Sequence, residues 1–153
     1  MQKIAITGHT QGLGKYLFEI LKQRGHHVQG FSRRNGYDIR DYSVVTKILE
    51  ETKGYDWFIN NAKPDFVQTQ IVYRFYRSQT VKNVLSIGSA AVNNDPKWTD
   101  SFLLEYLTQK VALKHAHDVL PDSDQTRLIL INPEHISDDF EKHAATLLDN
   151  FKL

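Results

Sequence analysis

The sequence predicts a doubly wound α/β fold, a mostly parallel five-stranded sheet with helices on both faces, formed as a single domain over residues 1–153. Three observations predict it. Short apolar runs recur along the chain, amphipathic stretches of helical period separate them, and the first run passes straight into a glycine-rich loop that opens a helix. Parallel strands joined by right-handed crossovers need helices on both faces. Numbered along the chain, the strands are expected in the order 2-1-3-4-5, with a ligand crevice at the carboxyl edge between the first and third.

The first strand is expected over Lys3 to Thr7, and the helix after it carries Leu13, Leu17, Ile20 and Leu21 on one face before stopping at Gly25. A second strand, His27 to Phe31, leads to a helix that starts near Asp41, carries Val44, Val45, Ile48 and Leu49, and ends at Gly54. Trp57 to Asn60 is the third strand, followed after Pro64 by a helix with Phe66, Ile71, Val72 and Phe75. Val84 to Ile87 is the fourth. Its helix begins near Thr99 or Asp100 and carries Phe102, Leu103, Tyr106, Leu107 and Val111. Arg127 to Ile131 closes the sheet, and a last helix, with Ser137 as its expected N-cap, shows the stripe Phe140, Ala144, Leu147, Leu148 and Phe151.

Composition narrows the function classes. A hydrophobic fraction of 41% with 24% charged residues is that of an ordinary globular protein. A net charge of +1 gives no electrostatic case for nucleic acid or an anionic membrane. Zero cysteines exclude disulfides, thiolate zinc sites and a cysteine nucleophile, and fit a reducing compartment. No run approaches the roughly 18 apolar residues of a membrane span, so a cytoplasmic protein is expected. The seven histidines have no metal-ligand spacing: His115 and His117 diverge on a helix, and His26 and His27 share a turn. Tyr73-Arg74-Phe75-Tyr76-Arg77 mixes basic and aromatic residues, but on a helix the aromatics pack and the arginines stay wet.

The glycine loop carries the chemistry. Ile4-Ala5-Ile6-Thr7-Gly8-His9-Thr10-Gln11-Gly12-Leu13-Gly14 runs from strand to helix. Gly8 permits a tight turn, Gly12 lets backbone approach a pyrophosphate and Gly14 lets the helix pack closely, while unpaired amides at the helix start face the phosphates. Thr10, Gln11 and Leu13 lie between and border the same site. This is the phosphate-binding entrance of an NAD(P)-binding Rossmann domain. Beyond the second strand, Ser32 and Arg33 stand where a cofactor's ribose arrives. No acid occurs between Val28 and Tyr37, and arginine suits the 2′-phosphate of NADP where an acid would hold the hydroxyls of NAD.

The loop reads TGxxxGxG, and Asn60-Asn61-Ala62, Ser89, Tyr106-x-x-x-Lys110 and Asn132-Pro133 follow it in that order. This ordered set resembles the short-chain dehydrogenase/reductase family over nearly the whole chain. The resemblance implies an NADP(H)-dependent oxidoreductase moving a hydride between nicotinamide and a small carbonyl or alcohol. In it Tyr106 is the acid/base, Ser89 positions the carbonyl, and Lys110 binds the ribose and tunes Tyr106. Asn60, Asn61, Ala62, Asn132 and Pro133 border the ribose and nicotinamide by position. The short turn Arg33 to Asp41 looks like that of dTDP-4-dehydrorhamnose reductases and their extended relatives, which places Asp38 and Ile39 at the adenine end.

The residues support these roles on their own terms. Tyr106 and Lys110 lie four apart, on one face of a helix. A phenol can give or take the proton of a carbonyl or alcohol, and a nearby ammonium favours the phenolate. A core tyrosine beside a snorkelling lysine is the ordinary reading of YxxxK alone, but its place between Ser89 and Asn132-Pro133 favours function. Ser86 competes with Ser89 but lies inside the strand. Trp98, in the turn-like insert Asn93 to Trp98, could line a pocket or cover the helix start.

The chain also departs from the family. No asparagine occurs between Asn61 and Asn83, where the fourth catalytic residue is expected. Lys63 replaces the motif glycine after Asn60-Asn61-Ala62, and Glu134 stands where a glycine would follow Asn132-Pro133. Only one helix follows, so most of the usual substrate wall is absent. These departures define the alternative, a non-catalytic NADP(H)-binding sensor or assembly module. A homo-oligomer is expected through the helices at 64–78 and 100–119, with Leu103, Leu107 and Phe75 in the contact.

Overall fold

The structure is a computed structural model that describes residues 1–93, 101–134 and 138–153, with side chains in the fourth helix from Leu103 onward. Five parallel strands form the sheet: β1 (Lys3–Thr7), β2 (His27–Phe31), β3 (Trp57–Asn60), β4 (Asn83–Ile87) and β5 (Arg127–Ile131). Their order is β2-β1-β3-β4-β5, as the sequence predicts. The helices are α1 (Gly12–Gln23), α2 (Tyr42–Glu51), α3 (Val67–Ser78), α4 (Ser101–Val119) and α5 (Phe140–Asn150). A 3-10 turn, Arg33–Asn35, takes up the short connection after β2.

Alternation along the strands divides the core in two. Ile4, Ile6, Trp57, Ile59, Leu85 and Ile87 face α1 and α5, and meet Leu17, Leu21, Ala144 and Leu148. Ala5, Phe58 and Val84 face the other way, onto α2 and α3. Val72 of α3 meets Leu113 and Ala116 of α4 over Leu128 and Leu130 of β5. Both faces of the inner strands are therefore dry, the condition under which a parallel sheet holds.

Three expectations about packing change. Phe66 precedes α3 as its N-cap and is exposed, so the buried stripe is Val67, Gln68, Ile71, Val72 and Phe75. Phe75 is 0% exposed, its ring tilted 30° against Phe58 with centroids 4.1 Å apart, and Leu107 is 8% exposed. The sheet claims Phe75 and Leu107 is buried within the chain, so neither offers open surface to a second copy; among the described side chains of α4, the large apolar residues left exposed are Leu103, Leu104, Val111 and Val119. The helix starts expected at Thr99 or Asp100 and at Ser137, and Trp98, fall outside the described residues. α5 is capped by Asp139, whose carboxylate accepts from the Lys142 amide at 3.3 Å. No helix among the described residues is long and apolar enough to cross a membrane.

Candidate active site

A crevice of about 1120 Å³ opens along the carboxyl ends of β1, β2, β3 and β4, where the strand order reverses. The glycine loop forms its floor. Gly8 and Gly12 have φ of +71° and +55°, a region that side chains rarely adopt. A Cβ on Gly14 would lie 2.1 Å from the Gly8 carbonyl oxygen, so the close approach expected there is of helix to loop. Gln11, the N-cap of α1, makes no side-chain cap bond, and no acid occupies the first turn. The amides at the start of α1 are thus left for an anion.

Thr7 holds the neighbouring turn in place. Its buried hydroxyl accepts from the amides of Asn61 and Ala62, both at 3.1 Å. Asn61 in turn donates its side-chain amide to the carbonyls of Thr7 at 3.1 Å and Gly8 at 3.3 Å. The β1 and β3 ends are locked together beneath the crevice by these bonds. Strand alternation gives no hint of Thr7's part.

At the β2 end, Ser32, Arg33, Arg34, Asp38, Ile39 and Arg40 line the crevice. Asn35 shapes their turn, accepting from the Ser32 amide at 2.8 Å and donating to the Gly30 carbonyl at 2.8 Å. Asp38 is gripped by Arg40 through two side-chain bonds of 3.0 and 2.7 Å, which hold its carboxyl well below the usual carboxylate range. Arg33 and Arg34 remain as cations at this end.

At the other end, Ser89, Tyr106 and Lys110 line the same crevice as the glycine loop, with Pro133, Glu134 and Phe140. Ser89 follows β4, and its amide donates to Asn132 Oδ1 at 3.2 Å. Its hydroxyl accepts from the Ala91 amide at 3.2 Å. Ser86 is fully buried, facing α3. Asn60 and Asn132, expected at the ribose and nicotinamide, do not line the crevice: Asn60 is fully buried, and the Asn132 side chain holds the Ser89 backbone.

Lys110 is only 4% exposed, in line with Leu107 and Leu113 on the buried face of α4. Its ammonium donates to Gln68 Oε1 at 2.7 Å and to the Ile87 carbonyl at 2.9 Å. Burial, reinforced by the Lys63 ammonium, lowers its pKa to about 7. Gln68 is the partner that the sequence reading missed. Its amide nitrogen donates to the carbonyls of Asn60 at 2.9 Å and Ile87 at 3.0 Å. Its own backbone carbonyl accepts from Asn60 Nδ2, which also donates to Ser86 Oγ at 3.1 Å. One glutamine therefore ties β3, β4, α3 and α4 together. Two ammonium groups attend that ring, Lys63 with Nζ 5.0 Å from its centroid and Lys110 at 5.7 Å. Among the described residues, no cluster of three or more metal-ligating side chains occurs.

No family model matches the sequence, and no curated protein matches it. Solved structures do. A short-chain dehydrogenase/reductase from Burkholderia vietnamiensis superposes with a TM-score of 0.68 at 23% identity, covering 99% of this chain and 91% of that one. The 3-alpha-hydroxysteroid dehydrogenase from Pseudomonas sp. B-0831, complexed with NADH, gives 0.66 at 17% identity, over 94% of this chain and 85% of that one. Gre2 from Candida albicans, complexed with NADPH, gives 0.69 at 16% identity, over 88% of this chain and 58% of that one. The chain has the fold of the short-chain dehydrogenases/reductases, an α/β Rossmann fold with a five-stranded parallel sheet.

Proposed function

We propose that this chain is an NADP(H)-dependent oxidoreductase acting on a small carbonyl or the corresponding alcohol. The observation that carries the proposal is convergence: Ser89 after β4, and Tyr106 and Lys110 of α4, line one crevice with the glycine loop after β1. The crevice suits a dinucleotide. Gly12 has open space where a Cβ would be, so backbone faces the cavity, and the uncapped start of α1 offers amides to a pyrophosphate. Arg33 and Arg34, beside an Asp38 already neutralised by Arg40, favour a 2′-phosphate and hence NADP over NAD. Asn61 and Ala62 border the cofactor between its two ends. Soluble, cytoplasmic chemistry fits the absence of cysteine.

The nicotinamide supplies or accepts the hydride when bound. The chain's own part is the proton and the alignment. In reduction, the carbonyl carbon receives the hydride and its oxygen takes the Tyr106 hydroxyl proton, so that carbonyl, NADPH and one proton become alcohol and NADP⁺. The Ser89 hydroxyl holds the carbonyl oxygen. Two of the three Lys110 donors are taken by Gln68 and Ile87, which leaves one for the crevice. Tyr106→Phe tests the reading against a cofactor-binding module without turnover: NADPH affinity should stay within about threefold while NADPH oxidation over a carbonyl panel falls by about 10²–10⁴. Equal rates for the two proteins would refute the acid/base role.

A further inference from the structure

Lys63 is the feature of this crevice that the hydride-transfer reading leaves without work. It directly follows Ala62, in the turn that Thr7 pins from below, so its backbone is held at the carboxyl end of β3. The residue is exposed and lines the crevice. Its ammonium turns toward the chemical end, 5.0 Å from the Tyr106 ring centroid. Among the described residues no carboxylate pairs with it: the ion pairs formed by lysines are those of Lys15, Lys47, Lys82 and Lys114. Glu134 lines the same crevice without reaching it.

The neighbouring cation is engaged elsewhere. Lys110 is buried and held by Gln68 and Ile87, with little freedom to meet an anion. Lys63 is a compact charge on a flexible four-carbon stem, able to follow a ligand group over several ångströms. A substrate oxygen hydrogen-bonded to Tyr106 would share the crevice with this ammonium, which stands 5.0 Å from the ring centroid. An anionic group one bond from the reacting carbon would then be met by the flexible Lys63 stem. Bound there, that group would also relieve the repulsion between two ammonium groups on one aromatic ring.

We propose that Lys63 makes the substrate end selective for carbonyl compounds bearing a carboxylate next to the reacting carbon, the 2-oxo acid class. The inference rests on the oxidoreductase reading, in which Tyr106 faces the substrate carbonyl. It can be tested without turnover. Oxamate, which mimics a 2-oxo acid, and its neutral methyl ester are titrated calorimetrically into the protein saturated with NADPH. Oxamate should bind at least about tenfold more tightly, the worth of one charge-assisted contact. Lys63→Met should bring the two within about twofold and leave NADPH affinity unchanged, and Lys63→Arg should keep the preference. Equal or absent binding of the two ligands, or a preference that survives Lys63→Met, would overturn the proposal. A tenfold loss of NADPH affinity in Lys63→Met would overturn it too, because the lysine would then serve the cofactor's phosphates. Selective oxamate binding without NADPH oxidation by any 2-oxo acid would sink the oxidoreductase reading alone.

Discussion

Removing the buried amide of Gln68 tests the frame on which the site stands. Gln68→Met keeps the length of the side chain and deletes three hydrogen bonds, to Lys110 Nζ at 2.7 Å and to the carbonyls of Asn60 and Ile87 at 2.9 and 3.0 Å. Ile87 keeps the Lys110 donor and Asn60 keeps its place in the β3–β4 ladder, so the penalty falls on the ammonium. A buried ammonium that loses a 2.7 Å acceptor forfeits about 1.5–3 kcal/mol. That loss lowers the melting temperature of a chain of this length by about 3–12 °C. Urea unfolding of the parent, Gln68→Met, Lys110→Met and the double variant measures it. The two side chains touch, so the cycle should show a coupling of about 1.5–3 kcal/mol. Additivity within about 0.5 kcal/mol, or a single-variant loss under about 1 kcal/mol, would show that the glutamine does not hold the lysine.

Further outcomes follow from the same geometry. Arg33→Ala should reduce a preference for NADPH over NADH by about ten- to a hundredfold, the range of one charge-assisted contact, and calorimetry on both cofactors reads it; equal affinities in the parent would remove the NADP assignment. Lys110 titrates near 7 in the fold against 10.5 ordinarily, so between those values the unfolded chain binds more protons and stability rises with pH. Relative to Lys110→Met, the parent should gain about 1.4 kcal/mol per pH unit from about 7.5 to 10, and parallel curves would contradict the burial of that ammonium. If copies pair through α4, the contact must use exposed Leu104 and Val111, and Val111→Glu should shift sedimentation toward a smaller species without loss of helix signal.

How much of this was legible in the sequence depends on what each residue's environment is made of. The strands, their order and the glycine loop follow from local patterns, and the structure returns them within a residue or so. The family resemblance points to an asparagine in this stretch, so Gln68 does not stand out from it. The signal was nevertheless there: Gln68, Ile71, Val72 and Phe75 share one helical stripe, so a polar side chain stood at a core position and needed a buried partner. Lys110 shows the same pattern between Leu107 and Leu113. Phe75 and Leu107 were misjudged for the opposite reason. An apolar residue on a helix is spare only if the sheet does not claim it, and that depends on how α3 and α4 settle over β4 and β5.

The segments that line the crevice beyond the glycine loop bear on what it can hold. In the structure α5 packs back along α1, with Phe140 parallel to Tyr16 at a centroid distance of 6.3 Å and also lining the crevice. Ala90, Ala91, Leu103 and Glu134 line the rim of the same cavity. Phe140 of α5 therefore supplies one aromatic side of the crevice, while Ala90 and Ala91 after β4 and Leu103 of α4 line it as well. Under the proposed function, Lys63, Ser89 and Tyr106 would add charge and hydrogen bonding at that end of the crevice, which favours a small, polar carbonyl compound.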